Sequence, residues 1–134
     1  KGSPDYGELK SSKMLVPYLK IEQYGLESFI DKDNLLKEDM ELAKKGWDAA
    51  LKAITNNDYD MVILDELNIA IDFHLLDLKE VIEGLNRRNP ALDIIITGRY
   101  APDEIIDIAD TVSEVTLVKH HYYKGISARE GIEY

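Results

Sequence analysis

The stretch Met61-Val62-Ile63-Leu64-Asp65-Glu66 constrains this chain most: four apolar residues run straight into two adjacent carboxylates. It follows the turn-forming Asn56-Asn57-Asp58. A short run that is apolar on both faces and bounded by turn residues reads as a buried strand of a parallel sheet. Asp93-Ile94-Ile95-Ile96-Thr97 repeats the pattern, again too apolar to be half solvated, and Gly98 breaks it. Glu114 to Lys119 and the short Lys20 to Tyr24, closed by Gly25, supply two further strand candidates.

Helical patterns alternate with these strands. From near Leu36 to Ile54, the residues Ala43, Trp47, Ala50, Leu51 and Ile54 fall on one face of a 3.6-residue period. Glu38, Asp39 and Glu41 lie towards its start, with Lys44, Lys45 and Lys52 further along, which suits the helix dipole. Trp47 belongs to the core on this reading. Leu67 to Phe73 looks like an apolar helical turn or two. Asp77 is placed as an N-cap with Glu80 as its capping-box partner, and Leu78, Val81, Ile82 and Leu85 form the buried face of the helix that follows. Asn89-Pro90 stops it. Pro102 suits a first helical position, with Asp103 and Glu104 in the first turn of a helix ending near Ala109. A weaker helix runs from Glu8 to Leu15, ended by Pro17. The alternation predicts an α/β domain: a largely parallel sheet with flanking helices, one domain over residues 1–134.

Composition narrows the partners. With 134 residues the chain has room for one core. A formal net charge of −10 with no basic stripe argues against binding nucleic acid or an anionic membrane. An anionic ligand must then be held locally, by backbone N–H groups, a metal and a few basic side chains. The absence of cysteine excludes disulfides and thiolate metal sites. It also fits a reducing, cytoplasmic setting. No apolar stretch reaches the length of a membrane span and no signal-peptide pattern is present.

Ligands of open α/β sheets sit beyond the carboxyl ends of the strands. Asp65-Glu66 and Thr97-Gly98-Arg99 are therefore expected on one edge. Asp65 and Glu66 read in two ways. One is a Walker-B-like site with a carboxylate on a Mg²⁺ ion that holds nucleotide phosphates; the other is a core strand whose exit carries solvated acids. Arg99 supplies a fixed positive charge suited to phosphate or a propionate-like carboxylate, and Gly98 lets the backbone approach a ligand. The alternative there is a plain strand-to-helix turn with a solvated arginine. His120 and His121, adjacent in a strand, would face opposite ways and share no metal. Tyr122, Tyr123 and Tyr134 could stack on a planar ligand or close a small core. None of the eight glycines is followed by lysine, so the phosphate loop G-x-x-x-x-G-K-[ST] that a Walker-B strand serves is absent.

Several stretches in order resemble the P-loop-type cob(I)alamin (corrinoid) adenosyltransferases. They are Gly46-Trp47-Asp48, Leu64-Asp65-Glu66, Thr97 to Pro102, Ile108 to Glu114, Val118-Lys119-His120 and Lys124 to Tyr134. The resemblance implies a P-loop NTPase-like (RecA-like) fold, incomplete at the N-terminus. It implies transfer of the 5′-deoxyadenosyl group of ATP to a cobalt(I) corrinoid, with release of triphosphate. Cobalt is the nucleophile, so no side chain attacks. By position, Glu66 matches the family's Mg²⁺-binding carboxylate and Asp65 its Walker-B partner. Thr97, Gly98 and Arg99 lie on the ATP edge, and Phe29 matches an aromatic residue set against the corrinoid. Asp31 departs from the pattern, because some members carry Trp there. A reductant such as a flavoprotein would deliver cobalt(I). The family's first strand, phosphate loop, first helix and second strand would occupy on the order of 40 residues. The chain thus reads as the C-terminal portion of a longer protein, and an apolar groove is expected beside Met61 to Leu64, to be filled by dimerisation or an extraneous strand. The other readings are a non-catalytic corrinoid- or nucleotide-binding module, or a different P-loop enzyme.

Overall fold

The computed structural model describes residues 6–28, 30–129 and 131–132. Two strands, β1 (Met61–Leu64) and β2 (Asp93–Ile96), pair in parallel with Leu64 opposite Ile96. Parallel pairing requires a crossover, and here α3 (Leu67–Asp72) and α4 (Leu78–Leu85) provide it. Before them come α1 (Gly7–Ser12), a 3-10 turn at Lys13–Leu15, and the long α2 (Lys37–Thr55). After them come α5 (Asp103–Ile108) and a 3-10 turn at His121–Lys124.

The long helix begins one residue inside the expected boundary. Leu36 is its N-cap, and the Leu36 N–H donates to Asp39 Oδ2 at 3.1 Å, so a buried carboxylate meets an otherwise orphaned amide. At α4, Asp77 caps as expected, accepting from the Glu80 N–H at 3.0 Å. The Glu80 side chain pairs with Lys44 of α2 and so ties the two helices together. Pro102 is the N-cap of α5, one place before its expected position.

Strand alternation explains where the core lies. Val62 and Leu64 of β1, with Ile94 and Ile96 of β2, turn inward onto Trp47, Ile54, Leu67, Ile71, Val81, Leu85 and Ile105 from the helices. Ile54 and Val81 are wholly buried, each stabilising the fold by roughly 1.5–3 kcal/mol. The opposite sheet face is open: Met61 is 48%, Ile63 57% and Ile95 42% exposed. This corrects the expectation of strands buried on both faces, since the helices of the described residues cover one side only.

Two strand candidates are not strands. Lys20 to Tyr24 and Glu114 to Lys119 pair with nothing in a ladder, and Val115 and Val118 are almost fully exposed. A strand exists only beside a partner, and propensity alone does not supply one. The sheet of the described residues is consequently two-stranded, smaller than the sheet the alternation predicts. Among the described residues, no helix is long and apolar enough to cross a membrane.

Candidate functional site

The register of β1 on β2 sets the site. Thr97 N–H donates to Leu64 O at 3.2 Å, so both strands leave the sheet at the same level. β1 stops at Leu64, which puts Asp65 and Glu66 in the turn into α3 rather than on the strand itself. Glu66 adopts the left-handed conformation (φ 59°, ψ 21°), which swings the chain from strand into helix. Such a conformation is uncommon outside glycine and asparagine and costs about 1 kcal/mol.

Thr97 joins the two strand ends with every polar group it has. Its hydroxyl donates to Asp65 Oδ1 at 2.6 Å and accepts the Glu66 N–H at 2.9 Å. Its carbonyl accepts the Asn68 N–H at 3.3 Å. Gly98 follows at φ +123°, and a Cβ there would lie 3.1 Å from Asn68 Cβ and 3.3 Å from Glu66 Cα. The absent side chain is what lets the two turns close on each other. Arg99 starts one residue beyond that contact. The Glu66 carboxylate and the Arg99 guanidinium are exposed and have no ion pair or hydrogen bond among the described residues. Asp65, Glu66, Thr97, Gly98 and Arg99 are thus brought together on one edge, as the spacing predicts.

The donor set suits one kind of metal. Among the described residues there is no cluster of three or more metal-ligating side chains. The edge offers two carboxylates on one turn, one oriented by Thr97 and one open. Mg²⁺ is commonly held by one or two carboxylates together with substrate phosphates, keeping several waters. The residues present therefore fit a Mg²⁺ that binds with a polyphosphate, and do not form a cage for a metal alone.

Beside this edge lies a cavity of about 660 Å³, lined in part by Met40, Ile71, His74, Leu75, Tyr100 and Pro102. Tyr100 (φ 60°) and His74 (φ 57°) are both left-handed. Asp72, also on its wall, pairs with Lys32 at 2.7 Å, and Lys32 Nζ sits 5.4 Å from the centre of the Phe73 ring. That pair anchors the loop around Asp31 to α3. The expected corrinoid residue, Phe29, lies outside the described residues.

Sequence reasoning missed the Lys32–Asp72 pair and Asn68, which is 5% exposed with its Oδ1 unpartnered. Asn68 breaks an otherwise apolar run directly after the acidic pair, a signal that was available. The two histidines do not face opposite ways. They enter a 3-10 turn instead of a strand, their rings stack at 4.5 Å, and His120 Nδ1 accepts the Tyr122 N–H at 3.1 Å. Trp47 is 2% exposed and belongs to the core.

Comparison with known proteins gives a consistent result. The family model described as ATP:corrinoid adenosyltransferase BtuR/CobO/CobP matches residues 1–134. A corrinoid adenosyltransferase of Sinorhizobium sp is 37% identical over 97 residues, 72% of this chain and 45% of the relative. One from Escherichia coli K12 is 38% identical over 98 residues, 73% of this chain and 50% of the relative. The corrinoid adenosyltransferase CobA of Salmonella typhimurium LT2 is 42% identical over 88 residues, 66% of this chain and 45% of the relative. The chain spans about half the length of the curated relatives it matches.

Proposed function

Matched by the family model along its whole length, the chain belongs to the ATP:corrinoid adenosyltransferase family, and we propose that its protein transfers the 5′-deoxyadenosyl group of ATP to a cobalt(I) corrinoid. In this reaction the electron pair of reduced cobalt forms a bond to the ribose C5′ carbon. The C5′–O bond breaks, and triphosphate leaves with the bonding electrons. No side-chain nucleophile is required. The protein's task is to hold both substrates in line and to stabilise negative charge on the departing triphosphate.

One observation supports this reading above the others: an open carboxylate, Glu66, and a free cation, Arg99, leave adjoining turns at the carboxyl edge of a parallel pair. Glu66, with Asp65 beside it, would hold Mg²⁺. When bound, that ion neutralises charge on the phosphates. Arg99 would face the triphosphate, to which a guanidinium can donate two parallel hydrogen bonds. Gly98 lets the turns that carry Glu66 and Arg99 close on each other, and Phe29 would meet the corrinoid. The wider proposal is a P-loop NTPase-like (RecA-like) single domain working in the cytoplasm. It would use a reductant such as a flavoprotein, and a homodimer is one arrangement that would cover the open sheet face.

The test is the Glu66→Gln variant, assayed for adenosylcorrinoid formation from ATP and chemically reduced cob(I)alamin. Turnover is expected to fall about 10²-fold or more with the fold intact; near-normal turnover would remove the metal assignment. A second reading is a corrinoid- or nucleotide-binding module without catalysis. Titration of the chain with ATP and reduced corrinoid separates the two: binding of both without product supports the module.

A further inference from the structure

We infer that Thr97 is the positioning residue for Glu66, fixing the backbone from which that carboxylate projects, and is not itself a phosphate ligand. The inference rests on the reading of Glu66 as a Mg²⁺ ligand.

A hydroxyl has one proton to give and two lone pairs. The Thr97 proton is spent on Asp65 Oδ1 at 2.6 Å, and one lone pair takes the Glu66 N–H at 2.9 Å. What remains is a single lone pair, which repels an anionic phosphate oxygen. Thr97 can therefore do little for triphosphate directly.

Its bonds reach the residue that can. Glu66 is left-handed with no side-chain bond of its own at the start of α3. Something outside the turn must hold that unfavourable backbone: the Thr97 hydroxyl accepts its N–H, and α3's own first turn donates to its carbonyl. The Thr97 carbonyl meanwhile holds the Asn68 N–H, two residues further on. Glu66 is thus pinned on both sides by the residue that follows the neighbouring strand. Loss of the hydroxyl strips the acceptor from the Glu66 amide and the donor from Asp65 in one step, while the β1–β2 ladder stays as it was. Groups that orient a metal ligand commonly change metal affinity or activity 10–100-fold when removed.

The experiment compares Thr97→Val, which keeps the shape, with Thr97→Ser, which keeps the hydroxyl. Mg²⁺ is titrated into ¹⁵N-labelled protein in the presence of ATP, with the Glu66 amide as reporter, and turnover is measured against Mg²⁺ and corrinoid in parallel. Thr97→Val should raise the half-saturating Mg²⁺ about tenfold or more, leave the corrinoid KM in place, and speed hydrogen exchange at the Glu66 amide. Thr97→Ser should restore the Mg²⁺ response. Equal Mg²⁺ half-saturation in Thr97→Val and the parent would overturn the proposal. So would rapid exchange of the Glu66 amide in the unmutated protein, a measurement that needs no variant to fold. Glu66→Gln is the control. Unchanged Mg²⁺ binding there defeats the metal reading itself, whereas loss there with no effect in Thr97→Val defeats positioning alone.

Discussion

Gly84 of α4 faces the indole of Trp47 so closely that a Cβ on the glycine would fall 2.4 Å from Cζ2 of the ring. Carbons not bonded to one another do not sit at that distance, so this glycine is fixed by close approach and not by backbone freedom. The contact lies where α2 crosses α4, with Trp47 2% exposed.

Gly84→Ala therefore sets two effects against each other. Alanine gains about 1 kcal/mol in helix propensity, while forcing a methyl into a filled core costs typically 1–3 kcal/mol, and more where a rigid ring must move. The Trp47 ring is enclosed and cannot swing aside, so overpacking wins. Urea unfolding should show a lower midpoint with an unchanged slope, together with a shifted Trp47 emission. A midpoint equal to or above the parent's would show that the helices slide apart freely.

The Lys44–Glu80 pair offers a test of sign across pH. Hydrogen bonding to Glu80 comes first, and with the charges of Glu80 and Asp48 it raises the Lys44 pKa above the ordinary lysine value of 10.5. A raised folded value means that the contribution to stability is fully present below that ordinary value and is lost as pH rises through the folded one. The urea midpoints of the parent and Lys44→Met should thus differ by a constant small amount from neutral pH up to about pH 10 and converge above it. A gap that already closes near pH 8 would assign the effect to another group.

What could be read from residue order was the site's address. Parallel strands present their carboxyl ends on one edge, so Asp65-Glu66 and Thr97-Gly98-Arg99 had to meet, and they do. What could not be read was how they meet. The Thr97 bonds depend on the register of Leu64 against Ile96 and on the left-handed turn at Glu66, and both are settled by tertiary pairing. Glu114 to Lys119 failed for a related reason. Its valines, threonine and leucine suit a pleated surface, but no neighbouring strand of the described residues accepts it. The inward face of the sheet followed from apolar content alone, whereas the exposure of Met61, Ile63 and Ile95 depends on which helices are present to cover them.

Glu66 itself should be costly to the fold and needed for the function. A left-handed glutamate carries roughly 1 kcal/mol of strain that asparagine, with its short polar side chain, largely avoids. Glu66→Asn is expected to melt at or above the parent temperature while its Mg²⁺-dependent turnover falls at least about tenfold, because the amide is neutral and shorter. Thermal melts and adenosylation assays on the same preparation check both halves. A variant that is clearly less stable would mean that the glutamate side chain supports the fold through contacts beyond its backbone bonds.

Gly98→Ala probes the closeness of the two turns directly. At φ +123° an L-residue is strained whatever the space, and the new methyl would sit 3.1 Å from Asn68 Cβ and 3.3 Å from both the Asn68 nitrogen and Glu66 Cα. Strain of this kind costs of order 1–3 kcal/mol. The neighbours must give by a few tenths of an ångström, and they are backbone and Cβ atoms, not the far ends of flexible chains. Any relief therefore lengthens the Asn68 N–H to Thr97 carbonyl bond, already 3.3 Å, and turns Glu66 away from its aim. The fall in turnover should exceed what the lost fraction of folded protein explains, with the Mg²⁺ requirement rising alongside it. Activity that tracks the folded fraction alone would mean that the glycine serves only the turn, and that the carboxylate tolerates a looser mount.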